Sequence, residues 1–256
     1  MNKFKHSGTT GDIVYSLSLV KYLGGGEFYL HLDQVNSICF NRWGVLPAPF
    51  HQGRMNQADY DFMRDFMLAQ DYINDFKIFN PQITDLTHNL DDYRPLFNKH
   101  CENFIDVYTK TFGIDDLEIQ KHIRQTKWIT VPSITKIHKR VVAINRTERY
   151  LPVELRPQWD MWKNQGLEQV SFFVGLPHEY ELFRKTIGWG IPFVETKTML
   201  DLASIIAGCE HFIGNQSQCL SLAVGLGIPF YCELGPKLPG EKNELYFEDL
   251  PTANYF

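Results

Sequence analysis

The sequence predicts an α/β protein of two lobes, each a parallel sheet covered by helices, with a cleft between them. Three observations predict it. Between 140 and 234, short apolar runs alternate with segments of helical spacing, joined by short connections, the pattern of a parallel sheet covered on both faces. The amino-terminal end starts in the same order, strand, small-residue loop, helix, strand. The length of 256 residues fits one large domain or two small ones of about 100–150 residues each.

Taken in order, Phe4-Lys5-His6 reads as the end of a strand and Ser7-Gly8-Thr9-Thr10-Gly11-Asp12 as a loop of small residues. Ile13 to Leu23 follows with Ile13, Leu17 and Val20 at helical spacing, closed by Gly24-Gly25-Gly26, and 27–32 is a second strand. From 41 to 100 the periodicity is poorer, with helices expected over 58–70 and 94–112. The Pro132–Lys136 stretch marks the boundary, dividing the chain into lobes 1–137 and 138–256. Beyond it five strands are expected, over 140–144, 169–175, 191–195, 211–215 and 228–233. Helices over 178–187, 199–207 and 218–226 separate the later ones, closed by Gly188, Gly208 and Gly227, where a helix end favours a residue tolerant of positive φ.

Composition narrows the function. Hydrophobic residues make up 44% and charged residues 21%, enough for a sizeable core, and the 14% aromatic content favours a well-filled interior. The net charge of −5 and the absence of any long Lys/Arg run give no support to binding duplex DNA by phosphate neutralisation. Five cysteines without a C-x-x-C pair read as buried free thiols in a reducing compartment. No signal-peptide core or long apolar stretch occurs, so a soluble, cytoplasmic chain with no membrane insertion is expected.

In a parallel sheet, ligands gather at the carboxyl ends of the strands, so the residues directly after each apolar run carry the candidate chemistry. Ser7, Gly8, Thr9, Thr10 and Gly11 form an anion or acceptor loop, where small residues admit a substrate to the backbone and helix-start amides favour negative charge. Asp12 stands in the first helical turn, where an ordinary capping role competes with catalysis. On the second lobe, Asn145, Arg146, Gly175, Lys197, Asn215, Gln216 and Ser217 are the corresponding positions. The polar, uncharged turn at 215–217 offers amides and hydroxyls to a diphosphate, and the two cations suit a leaving group that gains charge. Asn215 and Ser217 serve equally well as helix caps. Asp59-Tyr60-Asp61 matches a metal-binding D-x-D only in letters, since no strand leads into it, and it reads as a solvated helix face. The nine histidines form no metal-binding spacing, and no metal is expected.

Two of these segments together carry a resemblance. Gly8-Thr9-Thr10-Gly11-Asp12-Ile13-Val14-Tyr15-Ser16-Leu17 resembles the N-terminal signature of the heptosyltransferase-like (family 9-like) glycosyltransferases, and Phe212 to Pro229 resembles their donor-site segment. The resemblance implies a GT-B fold, two Rossmann-like lobes facing a central cleft, and inverting, metal-independent transfer with no cofactor. A nucleotide-sugar donor would be the co-substrate on the second lobe and the acceptor would bind the first. Asp12 occupies the position of the family's catalytic carboxylate, the general base toward the acceptor hydroxyl, and Arg146, Lys197 and the amides near Asn215–Ser217 would hold the leaving diphosphate. Relatives carry Asp-Thr-Gly-x-x-His where this chain has Asn215-Gln216-Ser217-Gln218-Cys219-Leu220, so the identity of the donor does not transfer. The Gly-Asp-Ile-Val-Tyr-Ser start is also similar to bacteriophage-encoded members, which implies either a saccharide or modified DNA as acceptor. The DNA reading requires a basic patch from Lys136, Lys139, Arg140 and Arg149. A non-catalytic nucleotide-sugar-binding module is the other alternative.

Overall fold

The structure, a computed structural model, describes residues 1–32, 55–83, 85–96, 103–148, 156–234, 247 and 249–256. Among the described residues ten strands form two sheets, both parallel throughout. The first takes β1 (Asn2–His6), β2 (Gly26–Leu30), β3 (Ile73–Ile78) and β4 (His88–Asn89) in the order β3-β2-β1-β4. The second takes β5 (Val142–Asn145), β6 (Ser171–Val174), β7 (Phe193–Val194), β8 (His211–Gly214), β9 (Phe230–Cys232) and β10 (Ala253–Tyr255) in the order β10-β9-β8-β5-β6-β7. Among the described residues the helices are α1 (Thr10–Tyr22), α2 (Gln57–Leu68), α3 (Phe104–Thr111), α4 (Leu117–Gln125), α5 (Arg156–Asn164), α6 (Leu167–Val170), α7 (Pro177–Ile187), α8 (Met199–Ala207) and α9 (Gln218–Leu226).

Alternation along the strands sorts the second sheet's side chains onto two faces. Val142, Ile144, Phe173 and Ile213 point to a core filled by Trp159 and Trp162 of α5, Phe183 of α7 and Trp189. Ala143, Phe172, Val174 and Phe212 point the other way, into a core that includes Leu220 and Leu222 of α9 and runs on, without a break, to Phe4, Phe28 and Leu17 around the first sheet. The two sheets therefore share one interior. Trp128 sits in it, 1% exposed, its indole N–H donating to the Val14 carbonyl of α1 at 3.0 Å. The backbone amides of Trp128 and Ile129 both donate to Gly225 of α9. Gly225 leaves no space for a side chain, since a Cβ would lie 2.4 Å from Ile129. The carboxyl terminus returns to the first half as well. Phe247 packs on Tyr15 of α1, and Arg124 of α4 holds both Asp106 and Asp249.

The five strands expected after 140 are present, but the first half holds more structure than its periodicity predicts. β3 goes unread because its buried side chains are Ile73 and Phe76, with Asn74 and Asp75 between them, Lys77 after them and a register shift between Gly26 and Glu27. The helix expected over 94–112 is not continuous. A 3₁₀ turn covers Leu90–Tyr93, α3 starts only at Phe104, capped by Asn103, and residues 97–102 lie outside the described residues. Gly188 and Gly227 close their helices at φ +77° and +68°, whereas Gly208 has φ −82°. Glycine at 208 answers instead to crowding, because a Cβ there would stand 2.2 Å from the Thr135 carbonyl oxygen. Cys209, Cys219 and Cys232 are buried free thiols that burial pushes up, and Cys39 and Cys101 lie outside the described residues.

Candidate active site

The loop after β1 is fixed by side chains rather than by its own turns. His6 is fully buried, and its Nδ1 accepts the Gly8 N–H at 2.7 Å. That bond assigns the remaining ring proton to Nε2, which donates to the Tyr108 hydroxyl at 2.7 Å. The Tyr108 hydroxyl then donates to the Asp12 backbone carbonyl at 3.1 Å. Burial pushes the His6 ring down to about 4, in keeping with a neutral imidazole. Gly8 has no room for a side chain between the His6 ring and the Asp12 carboxylate. Asp12 is half-buried, and its Oδ2 accepts the Thr9 N–H at 3.1 Å and the Tyr93 hydroxyl at 3.3 Å. The capping role read from the sequence is thus real, yet it occupies one carboxylate oxygen and leaves Oδ1 without a hydrogen bond among the described residues.

A second group lies directly beneath this loop. The Asp91 carboxylate accepts from the Ser7 N–H (3.0 Å), the Ser7 hydroxyl (2.8 Å), Lys5 Nζ (2.8 Å) and Arg94 Nη2 (2.9 Å). Burial alone would raise this carboxyl; His6, Lys5 and Arg94 around it hold it well below the usual carboxylate range. None of Asp91, Tyr93, Arg94 or Tyr108 was singled out by sequence, because they lie some 80 to 100 residues from the loop and share no motif with it.

On the second sheet the expected donor residues fall at strand ends but are differently engaged. Asn145 is 1% exposed and donates to the Val174 carbonyl and the Glu179 carboxylate, while its Oδ1 has no hydrogen-bond partner among the described residues. Gly175, at φ +130°, packs against the same amide, where a Cβ would lie 2.3 Å from Asn145 Nδ2. Glu179, missed by sequence, is buried beside both, and burial pushes its carboxyl up. Arg146 is buried in a two-bond pair with Glu233 at 2.6 and 2.8 Å, with the Trp159 indole also on Glu233. Its charge is turned inward, to the end of β9. Asn215, fully buried, clamps the Thr147 backbone through both ends of its amide, and Ser217 caps α9 through the Leu220 N–H. Gln216 is half-buried and Lys197 is exposed in the turn before α8.

The two loops meet. The Thr10 hydroxyl donates to Gln218 Oε1 at 2.8 Å, across 208 residues of sequence. A Cβ on Gly11 would lie 3.8 Å from the Gln218 Cα, so the amino-terminal turns of α1 and α9 touch. Both loops leave the carboxyl ends of their parallel sheets, so Asp12 and the amino-terminal turn of α9 share one edge of the molecule.

Against known proteins, the likeness is one of structure. The chain superimposes on a family 9 glycosyl transferase from Veillonella parvula with a TM-score of 0.58 at 12% identity, covering 99% of this chain and 84% of the other. It matches the E. coli heptosyltransferase WaaC with ADP at a TM-score of 0.52 and 12% identity, over 100% and 92% of the two chains. An iron-containing dodecameric glycosyltransferase, TibC from enterotoxigenic E. coli, matches at 0.51 and 12% identity, over 98% of this chain and 61% of that one. The fold is that of the GT-B glycosyltransferases. No protein-family model matches the sequence, and no curated protein does. These GT-B structures are bacterial, and they lend no support to a bacteriophage origin.

Within the GT-B frame the remaining candidates can be placed. Lys136, Lys139 and Arg140 precede β5, at the amino end of the sheet and away from Asp12, and Arg140 donates to the carbonyls of Glu168 and Ser171. Arg149 lies outside the described residues. The basic patch that a DNA acceptor requires is therefore not assembled at the site by the described members. Asp59 caps α2 by accepting the Asn56 N–H, and Asp61 pairs with Gln57 on the helix surface, so the D-x-D triplet is a helix face. Among the described residues no cluster of three metal-ligating side chains occurs, and no helix is long and apolar enough to cross a membrane.

Proposed function

We propose that this chain is a glycosyltransferase that moves a sugar from a nucleotide-sugar to an acceptor hydroxyl with inversion and without a metal, Asp12 acting as general base. Residues 1–137 would hold the acceptor and 138–256 the donor. The observation that carries this reading is the junction of the two loops, Thr10 on Gln218, which brings a half-buried carboxylate beside the amino-terminal turn of α9 in a fold shared with nucleotide-sugar transferases. Fold alone does not give function; this arrangement of a base and an anion-binding turn adds the chemistry. As the acceptor oxygen attacks the anomeric carbon, Asp12 Oδ1 takes its proton and the bond to the diphosphate breaks. The helix-start amides of α9 and the exposed Lys197 would take up the charge that develops on the leaving group. WaaC is described with ADP, and an adenosine diphosphate sugar is the first donor to try.

The test is a thermal-shift panel of UDP-, GDP-, ADP-, CMP- and dTDP-sugars without added metal. A donor at about 100 times its Kd stabilises the native state by roughly 2.7 kcal/mol. Asp12→Asn should spare that shift and lower transfer by about 10²–10⁴-fold. A panel with no shift at millimolar ligand would refute the reading. The inward pairing of Arg146 with Glu233 favours a second reading, a module that binds the nucleotide-sugar without turnover. It predicts the same thermal shift with no transfer in either the parent or the Asp12→Asn variant.

A further inference from the structure

We propose that the 3₁₀ turn Leu90–Tyr93 positions the Asp12 carboxylate, with Tyr93 selecting which carboxylate oxygen meets the acceptor hydroxyl and Asp91 setting the loop that carries it. This inference rests on the reading of Asp12 as base. The turn holds the loop at both ends. Asp91 takes the Ser7 amide and hydroxyl at the start, and Tyr93 donates to Asp12 Oδ2 at the finish. Because the two residues sit two apart on one short turn, the distance between the loop's ends is set by that turn's backbone.

The oxygen selection follows from hydrogen-bond counts. Oδ2 accepts from Thr9 N–H and Tyr93 O–H, and Oδ1 accepts from neither. An oxygen whose two lone pairs already take two donors has none left for a third, so the proton of the acceptor hydroxyl goes to Oδ1. Tyr93 is itself held still. It is 4% exposed, its ring lies 4.8 Å from that of Tyr108, and the Arg94 guanidinium lies over it at 5.2 Å. Arg94 in turn is tied to Asp91 and Ser7. The hydroxyl therefore reaches Asp12 from a locked side chain, the arrangement that reactive geometry demands of its supporting residues.

The experiment uses the full chain labelled with ¹³C at the aspartate carboxyls, the Asp12 resonance being assigned with Asp12→Asn. Tyr93→Phe should move that resonance at constant pH, while the melting temperature and the nucleotide-sugar thermal shift stay close to the parent's. Turnover should fall about 10- to 100-fold, the factor one hydrogen bond to a charged group is worth, with KM for the donor unchanged. A resonance that stays in place, or one that moves with kcat unaltered, would overturn the proposal. If the resonance moves but Asp12→Asn still transfers sugar, the base assignment falls and the positioning role falls with it, whereas the hydrogen bond itself stands; loss of transfer in Asp12→Asn beside an unmoved resonance would retain the base and remove Tyr93.

Discussion

His6 is enclosed on every side, and its neutral form is built into the loop through bonds to Gly8 and Tyr108. Burial lowers its folded pKa to about 4, against roughly 6.5 for an unfolded histidine. Between these values the unfolded chain binds more protons than the native one, so stability is fully present above about pH 6.5 and is lost as pH falls toward 4. A shift of this size corresponds to about 3 kcal/mol. Urea unfolding across that range should show the slope, and His6→Gln should remove most of it; His88, lowered by burial too, adds in the same direction. Asp91 contributes with the same sign at lower pH, since its depressed carboxyl stabilises the fold above the usual carboxylate range and stops doing so in stronger acid. The buried pair on the second sheet gives another residue-scale test. Glu233→Gln should cost about 3–5 kcal/mol by leaving Arg146 buried without its partner, while Arg146→Met with Glu233→Leu should come close to the parent. If Arg146 instead gripped a diphosphate, Arg146→Met would weaken donor binding with little effect on stability. The capping contact of Asp12 was legible in the sequence because Thr9, whose N–H it accepts, lies three residues away. Arg146 was legible as a strand-end cation but not as half of an ion pair, because Glu233 lies 87 residues away and nothing local announces it.

At the scale of elements, the glycines that end helices separate two causes which look identical in sequence. Gly188 needs only a left-handed backbone, with no atom within 4 Å of the place a Cβ would take. Gly208 has an ordinary backbone and no space. Gly188→Asn should therefore keep nearly all the stability, because Asn tolerates positive φ, while Gly208→Asn should cost about 1–3 kcal/mol through overpacking. Melting temperatures of the two variants decide between these causes. Strands β5 to β9 of the second sheet were readable as apolar runs, Phe172-Phe173-Val174 being fully buried. β3 and β10 were not, as both lie at sheet edges, where a polar side chain costs little. α4 carried a usable signal that went unread, Asp116 accepting from Glu118 and Ile119 ahead of apolar positions at 119 and 123.

At the scale of the whole molecule, the division into lobes describes the sheets but not the interior. Trp128, α1 and α9 join the two halves in one core, and the carboxyl-terminal segment ties back through Asp249. Unfolding should accordingly be a single transition, with calorimetric and van't Hoff enthalpies equal and the signals from Trp128 and from Trp159 coincident. Two separated transitions would contradict the shared core. Sequence reading found the two-sheet plan from alternation along the chain, but which helices face each other depends on pairings 100 and more residues apart.

The meeting of α1 with α9 also bears on how such a protein can be recombined. On the proposed assignment of the donor to residues 138–256, nucleotide-sugar preference would be changed by grafting the second half of a GT-B glycosyltransferase onto the first half of this chain. Here the graft would exchange α9 while keeping α1, so Gly11 would face a stranger's helix in place of Gln218, and Trp128, bonded to Val14 of α1, would lose Gly225 as the acceptor of its backbone amide. A productive chimera of this chain needs α1, Trp128 and α9 to come from one parent, with the crossover points placed around that trio and not at the connection between the sheets.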